Sequence, residues 1–188
     1  MSDLPALAAY KNNKEEIVRL LQNGADVNEQ NSIGYTALYN ACQKNNTDII
    51  EILLQNNKIN VNLQNNGGWG PFYTACANDS YECSLLMLQD ARVGINLANN
   101  YGISPLMIAC YGEYTKIVQL LISFGRYIDI YEKTTKDNWL GIKSGSTALD
   151  AAKQKNSTDI VKLLQQYQNN PKETQKLWRN QLNLKGKK

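Results

Sequence analysis

Three landmarks recur in this 188-residue chain at a spacing of 34: Gly34, Gly68 and Gly102; Ala41-Cys42, Ala75-Cys76 and Ala109-Cys110; and Asn28, Asn62 and Asn96. A fixed period of this length marks stacked repeats, in which each unit buries its apolar side only against its neighbours. The chain is therefore expected to form one solenoid. The question it poses is which surface it offers to a partner.

The second unit shows the construction. Gly34-Tyr35-Thr36-Ala37-Leu38-Tyr39-Asn40-Ala41-Cys42 and Ile49-Ile50-Glu51-Ile52-Leu53-Leu54 both carry apolar residues at helical spacing, and the polar segment Gln43 to Asp48 separates them. The spacing predicts a helix, a tight turn and a second helix, followed by an extended finger with a turn at its tip. Ser104 before Pro105 predicts a hydroxyl N-cap on a helix whose first turn tolerates proline, and Thr36 and Thr147 are placed to do the same. Asparagine pairs such as Asn45-Asn46 and Asn65-Asn66 fall where turns are expected.

These residues resemble the ankyrin repeat. The first unit matches through Leu4-Pro5-Ala6-Leu7-Ala8-Ala9 and the closing Gly24-Ala25-Asp26-Val27-Asn28, and the third through Gly68-Trp69-Gly70-Pro71-Phe72 with Ala75-Cys76. The fourth supplies Gly102-Ile103-Ser104-Pro105-Leu106 with Ala109-Cys110, and the fifth Gly145-Ser146-Thr147-Ala148-Leu149 with Ile160-Val161-Lys162-Leu163-Leu164. A tetratricopeptide repeat has the same period but orders Trp, Leu-Gly and Tyr within its first helix, which none of these units does. The resemblance implies an all-α solenoid with β-hairpin-like fingers over residues 1–170. Its repeats fall at about 1–33, 34–67, 68–101, 102–144 and 145–170, and a basic helix or tail follows at 171–188.

Two departures from the family pattern stand out. Its first-helix histidine is replaced by Leu7, Tyr39, Tyr73, Met107 and Asp150, so the hydrogen bonds of that position must be made otherwise. An insertion within 130–144 is expected to lengthen the fourth finger, with Tyr131, Trp139, Leu140 and Ile142 among Lys133, Lys136 and Lys143. Loops longer than their structural need are often functional.

Cys42, Cys76 and Cys110 sit in the second place of the Ala pair, where a small buried side chain is needed, and Cys83 takes an aliphatic place in a second helix. Packed helices stand about 8–10 Å apart, beyond the ~7 Å Cα separation that a disulfide spans. Four reduced, structural thiols are expected.

Composition narrows the function. The chain contains no histidine, the commonest general base and metal ligand. It has no glycine-rich phosphate loop and no metal-ligand spacing, so an enzyme is not expected, nor a cofactor, nor a small-molecule substrate. No apolar run approaches the length of a membrane span. The N-terminal stretch lacks the basic start of a secretory signal, and a cytoplasmic address is expected. Net charge is +3. The stretch 171–188 carries six basic residues against Glu173 alone, which is the only hint of nucleic acid. Leu177, Trp178 and Leu182 in the same stretch are expected to lay an apolar stripe on the fifth unit.

Family members usually bind protein partners on the concave face made by the fingers and first helices. Carried over to this chain, the resemblance implies a partner site built from Ile33, Tyr35, Lys44, Trp69, Asn78, Tyr101, Ile103, Tyr111 and Lys155, with Trp139 of the enlarged finger beside them. The set is aromatic in its middle and polar at its ends, the composition of an interface core with its rim. The expected function is a non-catalytic protein–protein interaction module. The alternative is a permanent structural subunit of a large cytoskeletal, ciliary or organellar assembly. The resemblance also places Asn28 and Asn62 where such proteins are hydroxylated on asparagine.

Overall fold

A computed structural model of the chain describes residues 5–184; Leu4 and three of the six basic tail residues, Lys185, Lys187 and Lys188, lie outside them. Contacts divide the chain into two compact units, Met1–Asn100 and Tyr101–Lys188.

In the first unit, α1 (Pro5–Tyr10), α3 (Ala37–Lys44) and α5 (Pro71–Ala77) form an inner row, each packing on the next. Behind them α2 (Lys14–Gln22), α4 (Thr47–Leu54) and α6 (Tyr81–Gln89) form an outer row, and each inner helix makes a hairpin with the outer helix that follows it. The second unit repeats the plan with α7 (Pro105–Tyr111) on α9 (Ala148–Gln154) and α8 (Thr115–Ser123) on α10 (Thr158–Asn169), and adds α11 (Pro171–Gln181).

Each helical hairpin turns on one residue in the left-handed region: Asn12, Asn45, Asp79, Glu113 and Asn156, all with φ between 53° and 64°. Asparagine and aspartate adopt this conformation at low cost because a short polar side chain bonds locally. The inner helices start where the sequence predicts. Thr36 Oγ1 accepts from the Tyr39 amide at 3.0 Å, and Ser104 Oγ accepts from Met107 at 3.3 Å. Thr147 and Asp150 form a reciprocal capping box, with the carboxylate accepting from the Thr147 amide at 2.9 Å and from its hydroxyl at 2.8 Å. Asp150, at the place of the missing histidine in the fifth helix pair, thus caps its own helix. At the same place in the second pair, Tyr39 is buried and stacks on Tyr35 with ring centroids 4.1 Å apart.

The core is built from small residues on the inner helices and large aliphatics on the outer ones. Ala41, Cys42, Ala75, Cys76, Ala109 and Cys110 are fully buried, as are Ile49, Ile50 and Leu53 of α4 and Ile117, Val118, Leu120 and Leu121 of α8. All four cysteines are free and buried. Burial pushes the Cys76 and Cys83 thiols up to about 12 and raises Cys42 and Cys110 well above their ordinary value; Cys83 and Cys76 add to the effect at Cys42. They are protonated packing groups, with Cys76 Sγ 3.9 Å from Ser84 Oγ.

The fingers differ from the expected hairpins, since no strand forms among the described residues. The first two fingers close instead as tight loops: the Asn31 amide donates to Tyr35 O and the Gly34 amide to Asn31 O, and Asn65, Gly68 and Trp69 repeat this one finger on. Side-chain amides then tie finger to finger. Gln30 Nε2 donates to its own finger at Gly34 O and to the next at Gln64 O, and Gln64 does the same to Gly68 O and Ala98 O. Asn66 reaches back to Ser32 O, and Asn100 to Asn66 O. The asparagines that read in sequence as turn formers are also rungs between repeats.

The recurring glycine has a second reason besides its positive φ of 83° at Gly34 and 80° at Gly68. A methyl group on Gly34 would stand 2.8 Å from the Asn66 amide nitrogen, and one on Gly68 would stand 2.5 Å from that of Asn100. Only glycine lets the next finger come so close.

Helix α11 meets the fifth unit, as expected, and goes beyond it. It packs on α8 as well as α10, so it reaches past the fifth helix pair, and Leu177 remains half exposed. Thr174 is its buried residue, and Arg179 is its anchor: Nε donates to Ser123 O at 3.2 Å and Nη2 to Phe124 O at 2.6 Å, capping the C-terminal end of α8.

Candidate functional site

In the first unit the solvent side of the inner row and fingers carries the residues that core packing does not use. Finger tips Ser32 to Tyr35 and Asn66 to Trp69 stand beside α3 and α5. Ile33 is 50% exposed, Tyr35 is half-buried on Tyr39, and Trp69 is half-buried with its indole 3.6 Å from where a Gly67 side chain would begin. Lys44 ends α3 and Asn78 caps α5, both exposed.

Lys44 is not a loose surface charge: its Nζ lies 4.2 Å from the ring centroid of Tyr10, which is 48% exposed. Tyr10 was not among the nominated residues. The signal was available, because Tyr10 precedes its hairpin turn at Asn12 by two residues, as Tyr111 precedes Glu113. Helices α1, α3 and α5 contain no carboxylate.

The second unit gathers four of its five nominated residues. Tyr101 and Trp139 meet edge to face with centroids 5.1 Å apart. Lys155 stands over the Tyr111 ring at 5.0 Å, the same pairing as Lys44 with Tyr10. Tyr111 Oη donates to Leu140 O at 3.0 Å, and Gln154 Nε2 donates to the same oxygen at 3.3 Å. Ile103 is a correction. It is 0% exposed, in a stretch that the next finger reaches as it does in the other repeats: Gly102 lies against Lys133 to Thr135, and the Thr135 amide donates to Tyr101 O. Ile103 offers no side chain to a partner.

The enlarged finger itself is well ordered by its own bonds. Thr134 takes the part that Asn31 and Asn65 play elsewhere, pairing with Ser146 and Gly145, so the inserted residues sit at the finger tip. Asp137 accepts from the Ser144 amide at 2.8 Å and pairs with Lys143 at 3.4 Å, and these contacts hold its carboxyl below the usual range. Asn138 accepts from the Leu140 amide and donates to Ile142 O at 2.9 Å. Ile142 is fully buried, whereas Trp139 is 57% exposed. The finger folds back over α7 and α9 and still shows a tryptophan to solvent.

Asn28 and Asn62 are committed on both sides of their amides. Asn28 Oδ1 accepts from the Asn60 amide at 2.7 Å and its Nδ2 donates to Lys58 O, and Asn62 does the same with Gly94 and Arg92. Their structural role is to join successive repeats. Among the described residues no helix is long and apolar enough to cross a membrane.

Comparison with known proteins agrees with this construction. The family model described as ankyrin repeats (3 copies) matches residues 6–97 and 84–175. Over 47 residues, a quarter of this chain, the sequence is 45% identical to the mitochondrial disaggregase of Homo sapiens and, over the same length, to that of Bos taurus. The matched stretch is 7% of the length of those relatives.

Proposed function

This chain belongs to the ankyrin-repeat family, whose repeats generally mediate protein–protein interaction, and from that premise we propose that it is a non-catalytic module that binds a protein partner on its fingers and inner helices. One observation carries the reading: in the first unit, Tyr10 on an inner helix and Ile33, Tyr35 and Trp69 on the fingers all keep part of their surface exposed to solvent. Large apolar side chains held at a surface yield their binding energy when a partner buries them. Four free, buried thiols suit a reducing compartment, in keeping with a cytoplasmic location.

The test is affinity purification of the native protein at low and high salt, with Trp69→Ala in parallel. A partner retained by the wild type and lost by the variant supports the reading. Retention at high salt assigns the chain to a permanent assembly, and loss at high salt assigns it to a reversible adaptor. A partner set unchanged by Trp69→Ala, in a variant that remains folded, would remove the site from this face.

A further inference from the structure

We propose that the enlarged finger of the second unit is a preformed docking site for an acidic protein segment bearing an apolar anchor residue. The proposal rests on the protein-binding reading above but concerns a separate surface.

The finger is longer than the repeat requires. Asn31 and Gly34 close an ordinary finger, and the same bond in the fourth repeat joins Thr134 and Gly145. The added residues are not a slack loop, because Ile142 is fully buried and Leu140 O is held by Tyr111 and Gln154. Preorganisation of this kind lowers the entropy lost on binding. What the loop holds up is Trp139, exposed over more than half its surface and braced edge-on by Tyr101. A folding role does not explain that exposure, since Ile142 already supplies the loop's buried anchor.

The charge around Trp139 selects the occupant. Lys133, Lys136 and Lys143 are exposed on the finger, and Lys155 stands beside it over Tyr111. The carboxylates near them are partly offset: Asp137 pairs with Lys143 and the Ser144 amide, Asp150 takes both Thr147 donors and feels Lys133, and Glu132 is half-buried, which raises its carboxyl, so Lys136 and Lys155 lie outside these pairs. The surface therefore presents Lys136 and Lys155 outside those pairs, near one aromatic anchor, complementary to Asp or Glu flanking an apolar side chain. A single tryptophan braced by a second ring favours a protein over a single-stranded nucleic acid, which needs successive stacking platforms along its path.

The experiment is selection of displayed random dodecapeptides on the immobilised full chain, followed by affinity measurement of the enriched peptides and of an oligo-dT strand. Enriched peptides should carry Asp or Glu beside an apolar residue, and their affinity should fall at least tenfold on Trp139→Ala and on the pair Lys133→Glu with Lys136→Glu. Lys133 and Lys136 are exposed, so the paired variant tests charge without removing a core contact. Basic or neutral peptides, or affinities unmoved by these variants, would overturn the proposal, as would oligo-dT binding tighter than any peptide or no enrichment at all. If binding instead falls only with Trp69→Ala, the finger proposal fails while the protein-binding reading stands.

Discussion

The hydroxyl of Tyr111, the last residue of α7, donates a 3.0 Å hydrogen bond to the carbonyl of Leu140 in the enlarged finger. This bond joins an inner helix to a loop that has no counterpart in the other repeats. Gln154 shares the acceptor at 3.3 Å, so the tie has two donors from two successive inner helices.

Tyr111→Phe removes one donor and keeps the ring under Lys155. The loss should cost about 1 kcal/mol, the usual net value of such a bond. Because the finger opens locally, amide exchange at Leu140 and Gly141 should quicken about fivefold while the melting temperature barely moves. Unchanged protection at these two amides would mean that the Tyr111 bond does not limit opening of the finger.

The glycine series separates two effects that coincide at most of its positions. Gly68 has a positive φ and the Asn100 amide nitrogen 2.5 Å from an added methyl group, whereas Gly145 has φ of 82° with nothing within 4 Å. Gly145→Ala should therefore cost about 1–2 kcal/mol for the left-handed backbone alone. Gly68→Ala should cost about 3 kcal/mol or more, since the next finger must also shift. Urea denaturation of the two variants measures the difference, and equal losses would show that finger contact contributes nothing.

Arg179→Ala should loosen α11. The guanidinium caps the last carbonyls of α8 at Ser123 and Phe124, and Gly125 leaves room for it. Charge-assisted bonds at a helix C-terminus, discounted for partial exposure, amount to about 1–2 kcal/mol. Arg179→Lys should recover only part of this, because a lysine lacks the planar fork that spans two carbonyls. Full recovery by lysine, read in the same denaturation assay, would reduce the interaction to simple charge.

The buried thiols set an alkaline limit. Cys76 and Cys83 titrate at about 12 in the folded protein, and Cys42 and Cys110 are also raised, whereas an exposed thiol titrates near about 8.5. Below the exposed value both folded and unfolded states keep their protons, and the full stability is present. As pH rises past it the unfolded chain loses protons that the folded chain retains, so stability falls continuously until the folded thiols ionise at about 12 or above. Melting temperature should decline from about pH 9 upward, and Cys83→Ala should flatten the slope. A slope identical to the wild type would place the alkaline sensitivity elsewhere, for example at the buried Tyr39, also raised to about 12 by burial.

Much of the scaffold was legible in the sequence for a physical reason. The 34-residue recurrence of Gly, Ala-Cys and Asn states which positions meet the same surroundings in each repeat, and the hydroxyls at Thr36, Ser104 and Thr147 mark the helix starts that the structure caps there. The candidate surface was less legible. Ile33 and Trp69 keep exposed surface at their places in the repeat register, but Ile103 holds the same register as Tyr35 and Trp69 and is buried, which register alone does not reveal.

The sequence by itself determined the helix pairs, their caps, the small residues between inner helices and the buried fate of the cysteines, since these depend on local backbone preference and periodic burial. Tertiary structure alone decided that Asn28, Asn62 and Gln64 bridge repeats, that α11 reaches α8, and that Ile142 turns inward while Trp139 turns out. A segment inserted once has no periodicity to read, so its path is set by what it meets, here Tyr111, Gln154 and Tyr101.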